Sequence, residues 1–85
     1  MAETAEQIAA HFSAMDDSVT LINETIADDS FALSNYGTAA EVKLMITRNT
    51  DHLEIQAAKD WYIASSKSKT TYTDAVTAGK AYVAS

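Results

Sequence analysis

A chain of 85 residues with a net charge of −6, two glycines, no proline and no cysteine has few helix breakers and is the size of one domain with a thin stability margin. The missing thiols exclude disulfides and thiolate metal sites, and no apolar run approaches the roughly 20 residues of a membrane span. No basic stretch followed by an apolar one is present, so no secretory signal is expected.

The charge is unevenly placed. Glu3, Glu6, Asp16, Asp17, Glu24, Asp28 and Asp29 occupy the first 36 residues without a single Lys or Arg, while Lys43, Arg48, Lys59, Lys67, Lys69 and Lys80 all follow. Phosphate contacts need clustered cations, so nucleic acid is not an expected partner. An acidic first half suits a cationic protein surface, or the chain's own second half.

Ala5, Ile8, Phe12, Met15, Val19, Ile22 and Ile26 alternate in steps of three and four. That heptad seam predicts a first helix over about residues 4–27, with Glu3 and Glu6 complementing the dipole at its start. Ser13 and Asp16 have capping-box spacing, but the unbroken seam favours one continuous helix. The seam packs either within the monomer or against a second chain. Glu24, Asp28 and Asp29 crowd the C-terminal end, where the dipole disfavours anions, and call for a cationic neighbour or for fraying. Ser30–Gly37, SFALSNYG, is the expected linker, with Asn35 and Gly37 marking a turn and Phe31, Leu33 and Tyr36 able to tuck over the bundle end.

Thr38 and Glu41 have capping-box spacing and open a second predicted helix over about 39–65. Val42, Ile46, Leu53, Ala57 and Ala64 share one face, flanked by Met45 and Ile63, but Asn49, Gln56 and Asp60 sit near the centre of that face. Leu44, Ile55, Ala58 and Tyr62 form an opposite stripe, with Trp61 between the two. A helix apolar on both sides is usually buried between neighbours, which makes Leu44, Ile55, Tyr62 and Trp61 a candidate interface. Asn49, Gln56 and Asp60 are a candidate polar network, because buried amides and carboxylates need partners and commonly fix helix register. A partner-facing seam and a ligand site are the other readings of the trio. Lys80 or a tyrosine hydroxyl is the natural mate for Asp60.

His11 and His52 each have a glutamine one turn away, Gln7 and Gln56, which is a poor metal partner, and no Glu-x-x-His pattern occurs. There is no glycine-rich phosphate loop and no nucleophile–base–orienter set. No catalytic, cofactor or metal residue is therefore assigned, and an enzyme is not expected.

SSKSKTT, Ser65–Thr71, is a polar connection whose Lys67 and Lys69 follow a helix C-terminus, where cations are favoured. Thr71 and Asp74 form a box of capping type before a short third helix over about 72–84, lined by Tyr72, Ala75, Val76, Gly79, Tyr82 and Val83. Gly79 in a helix interior points to a close helix crossing, with Ala75 and Ala78 nearby.

Asn49-Thr50-Asp51-His52-Leu53, Asp60-Trp61, Tyr72-Thr73-Asp74-Ala75-Val76 and Ala78-Gly79-Lys80-Ala81-Tyr82 give residues 49–83 a pattern that resembles small helical proteins encoded by tailed bacteriophages. The resemblance implies a viral origin and a place in or near the particle. It names no site residues, and the acidic first helix lies outside it.

The expected fold is all-α and a single domain over residues 1–85: an antiparallel hairpin of two long helices plus a short third, a three-helix bundle. The expected function is a non-enzymatic structural or assembly protein, acting by helix packing with itself or with other virion proteins, in the virion or in the host cytoplasm during assembly. The alternative is a small acidic binding module that inhibits or redirects a host protein through its first helix. No cofactor, nucleic acid or membrane is expected.

Overall fold

A computed structural model describes residues 2–85. The described chain is all-helical: α1 (Ala5–Ala27), α2 (Ser30–Tyr36), α3 (Ala39–Ala57), α4 (Asp60–Ala64) and α5 (Thr70–Ala84). The molecule measures 41 × 20 × 18 Å.

The first helix is continuous and runs unbroken through Ser13 and Asp16. Its start is fixed by Thr4 and Gln7: the Thr4 hydroxyl accepts the Gln7 N–H at 3.1 Å, and the Gln7 side chain accepts the Thr4 N–H at 2.9 Å. Each bond satisfies a backbone donor that the first turn leaves open. Phe12, Met15, Val19 and Ile22 of the seam are buried, but Ile26 is exposed and Thr25 is buried in its place. Thr25 lies seven residues after the buried Ser18, so that row of α1 stays covered into the last turn.

α1, α3 and α5 each pack on the other two. Phe12 meets Tyr62 and Ser18 bonds His52, so numbers fall along α3 and α4 as they rise along α1. Tyr72 bonds Asp16 and Tyr82 bonds Asp29, so α5 runs in the direction of α1. Met15, Ile22, Val42, Ile46 and Leu53 form the fully buried centre. Gly79 makes the closest approach: a Cβ there would stand 2.5 Å from Thr50 Cγ2 and 3.3 Å from Ile46 Cγ2.

Three stretches differ from the sequence expectation. The linker is mostly helix. The Asp28 carboxylate accepts the Ser30 N–H at 3.0 Å, and Gly37 ends α2 at φ 90°, in the left-handed region that favours glycine. Only Ala32 of α2 is buried; Phe31 and Tyr36 do not tuck in.

The second long helix is two. Ala58 and Lys59 hold tight backbone bonds to Ile55 and Gln56, three residues back, and Lys59 then turns extended at ψ 147°. In an unbroken helix Tyr62, seven residues on, would share the face of Ile55. The break turns Tyr62 inward to 4% exposure while Ile55 stays 58% exposed. Burying that ring against Phe12 and Tyr72 contributes on the order of 1.5–3 kcal/mol, which offsets the loss of regular helix geometry. Finally, α5 begins at Thr70, with Lys69 at the N-cap position and making no side-chain cap, so the Thr71–Asp74 box lies inside the helix and does not open it.

Candidate functional site

The break between α3 and α4 gathers sequence-selected residues at one end of the molecule. Gln56, Asp60 and Trp61 line an open groove of about 710 Å³ together with Glu3, Ile8 and His11. His11 stacks on the Trp61 indole with ring centres 4.8 Å apart, and its Nε2 lies 3.1 Å from Glu3 Oε1. Phe12 meets the indole edge-on at 5.2 Å. The arrangement fixes the histidine between a carboxylate and an aromatic face. Among its described lining residues the groove carries no hydroxyl or thiol nucleophile.

The polar trio does not join into a network among the described residues. Asn49 donates from Nδ2 to the Met45 carbonyl of its own helix at 2.8 Å, Gln56 is half-buried at the groove, and Asp60 is exposed there. Lys80 pairs with Glu54 at 3.1 Å and not with Asp60. The interface candidates also separate. Leu44 and Ile55 are exposed, Trp61 is half-buried and Tyr62 belongs to the core. Arg48 and Asp51 lie between Leu44 and Ile55 on the same exposed face, so the stripe is mixed and not apolar.

Beside the groove the core rings close on one another. Phe12, Tyr62 and Tyr72 stand with ring centres 6.0–6.1 Å apart. Lys67 lies 4.5 Å above the Phe12 ring and 3.5 Å from Asp16, whose other oxygen accepts the Tyr72 hydroxyl at 2.6 Å. Lys69 lies 4.9 Å above Tyr62. Burial raises the Tyr72 phenol above its ordinary range, and the Asp16 carboxylate adds to the effect. The Tyr62 hydroxyl is buried without a partner among the described residues, and burial raises its pKa likewise.

At the other end of α1, about 25 Å away at 1.5 Å per residue, lies a second groove of about 220 Å³ between α1 and α2. Leu21, Phe31 and Tyr36 give it apolar surface, and Glu24 and Asp28 give it carboxylates. Phe31 is 81% exposed, more than any other large apolar side chain described. The sequence marked the acidity of this end but read Phe31 as covered. Phe31 is the second residue of α2, on the side of the short helix that faces water, and that depended on α2 being helical. Hydrogen bonds to the Ser30 backbone and side chain hold the Asp28 carboxyl below its usual range. Among the described residues no group of three or more metal-ligating side chains is placed to hold an ion, and no helix is long and apolar enough to cross a membrane.

Comparison with protein-family models, with curated proteins and with solved structures found no match to this chain.

Proposed function

We propose that the chain is a non-enzymatic structural or assembly protein whose working part is a three-helix bundle: an antiparallel pair, α1 and α3, with α5 laid along it. It acts by packing its exposed apolar side chains against another protein. The observation that carries this reading is Phe31, 81% exposed beside Leu21 at 36% and Tyr36 at 41%. Large rings left in water next to other apolar groups commonly mark a protein contact. The resemblance of residues 49–83 to tailed-phage proteins suggests that the contact belongs to a particle or to its assembly.

The acid rim of the same groove favours a second reading, a small acidic module that captures a host protein. The two differ in whose protein fills the groove, not in how it is held.

The test is absolute mass by light scattering over a range of protein and salt concentrations. Salt screens the repulsion between acidic copies, so the wild type should associate weakly at high concentration and high salt. Phe31→Ser should stay monomeric under the same conditions. Ile55→Asp and Leu44→Asp test the mixed stripe of α3 and should leave that association unchanged. Monomeric wild type throughout would remove the support that Phe31 gives.

A further inference from the structure

We propose that the groove between α1 and α2 takes one amphipathic helix of a partner protein, with an apolar face seated on Leu21 and Phe31 and lysines or arginines meeting Glu24 and Asp28. The inference rests on the reading of this chain as a packing protein and names the chemistry of its partner.

Four observations define the occupant. The groove is about 220 Å³, below the range of about 300–1,000 Å³ typical of small-molecule and cofactor sites, so it suits one or two side chains. Its apolar floor is flanked by Glu24 and Asp28, and its described lining contains no Lys or Arg. Three of the other five carboxylates of the acidic half are already engaged: Glu3 by His11, Asp16 by Lys67 and Tyr72, and Asp29 by the Tyr82 hydroxyl at 3.1 Å. Lys43 is drawn to the Ser85 carbonyl at 2.6 Å. Glu24 and Asp28 thus face the groove without a cation of this chain beside them in its lining, and a cation from outside would complete the charge pattern.

The same charges make a second copy the weaker occupant, admitted only when salt screens them. Two grooves face to face would set Glu24 and Asp28 of one copy against those of the other, on chains that each carry −6. An anionic membrane or nucleic acid is repelled for the same reason. The described surface is helical, without a sheet edge to extend. Recognition therefore follows the helix-in-groove mode, with anchors at i, i+3, i+4 and i+7.

The probe is a synthetic amidated peptide of leucine and lysine, roughly four helical turns long, with its leucines on one face. The control has the same composition in scrambled order. Both are titrated into the isotope-labelled full chain and followed by amide chemical shifts. The patterned peptide should perturb Leu21, Glu24, Phe31 and Tyr36 first and bind about tenfold tighter than the scrambled one. Phe31→Ser, checked for folding by circular dichroism, should weaken it by about tenfold or more, as expected of an exposed aromatic anchor. Glu24→Gln with Asp28→Asn should flatten its salt dependence. Equal affinity for both peptides, or perturbations centred on the Trp61 groove, overturns the proposal. If neither peptide binds but Phe31-dependent association is still seen by light scattering, the occupant is wrong and the packing function stands. If both are lost, both fall.

Discussion

The two ends of the helical body treat the same ingredients differently. At one end Phe12, Trp61, Tyr62 and Tyr72 close on one another, and the ammonium groups of Lys67 and Lys69 lie over Phe12 and Tyr62. Asp16 there has both Tyr72 and Lys67 as partners. At the other end an aromatic ring, Phe31, stands in water, and the carboxylates of Glu24 and Asp28 line its groove without Lys or Arg among the described lining residues. Rings need cover and carboxylates need cations. The chain supplies both around the ring cluster at the first end, beside the open Trp61 groove, which is why that cluster contributes to stability. It supplies neither at the second, which is why that end is available for binding.

Truncating one ring at each end breaks the comparison most directly. Phe12 is 8% exposed and touches three other aromatic rings. Phe12→Ala should cost about 3–5 kcal/mol, a large share of a whole stability of order 5–15 kcal/mol. Phe31→Ala should stay within about 0.5 kcal/mol of the parent. Urea unfolding of both variants measures the contrast. A cost above about 1 kcal/mol for Phe31→Ala would mean that this ring is packed, and the second end would no longer count as open.

Between the ends, the crossing at Gly79 sets how closely α5 can approach. Alanine is the better helix former by about 1 kcal/mol, yet its methyl would meet Thr50 Cγ2 at 2.5 Å. Thr50 is 2% exposed, and its hydroxyl is held to the Thr47 carbonyl at 2.9 Å, so its methyl has little freedom to move. Gly79→Ala should therefore destabilise by a net of about 1–2 kcal/mol. Adding Thr50→Ser removes the opposing methyl and keeps the hydroxyl. The double variant should recover most of the loss in thermal unfolding. A double variant no better than Gly79→Ala would place the obstacle elsewhere.

The pattern of residues made part of this architecture legible. The three-four spacing from Ile8 to Ile22, the Thr38 cap and the solitary Gly79 each carry a local physical signature, and each has its expected consequence in the structure. The break at Ala58–Lys59 carries none: without proline or glycine, it follows from tertiary burial of Tyr62 against rings from α1 and α5. That burial also dissolved the apparent stripe of Leu44, Ile55 and Tyr62. Gln56, Asp60 and Trp61 were correctly noticed as out of pattern, but their convergence with His11 and Glu3 required the chain turn. The Phe31 groove was hidden for a related reason. Ser30–Tyr36 has no side-chain cap of its own and leans on Asp28 instead.

Alkaline pH probes the two ends through their tyrosines. Tyr72 at the closed end and Tyr82 near the acidic end both have phenols raised above the ordinary value of about 10, by burial first and then by Asp16 and Asp29 respectively. A raised folded value means that the unfolded chain ionises first. The associated stability is complete below about pH 10 and is lost as pH rises from there through the folded values. Unfolding curves at a series of pH values from about 8 to about 11 should show this decline. Tyr72→Phe should flatten it more than Tyr82→Phe, because Tyr72 is 2% exposed and Tyr82 is only half-buried. Equal flattening would show that burial does not separate the two ends.

The smallest effect is expected at the one imperfection of the closed end. The Tyr62 hydroxyl is buried with no hydrogen-bond partner among the described residues, a state that costs roughly 1–3 kcal/mol relative to a satisfied hydroxyl. Tyr62→Phe removes the oxygen and keeps the ring that Phe12, Trp61 and Tyr72 pack against. The Lys69 ammonium, 4.9 Å above that ring, keeps its partner as well. The variant should be equal to the parent or more stable by up to about 1 kcal/mol, a rise of several degrees in a chain of this length at about 4–8 °C per kcal/mol. A fall in melting temperature would show that the hydroxyl has a partner after all, such as an enclosed water. The aromatic end would then be wet at its centre, and its contrast with the open end would be one of degree.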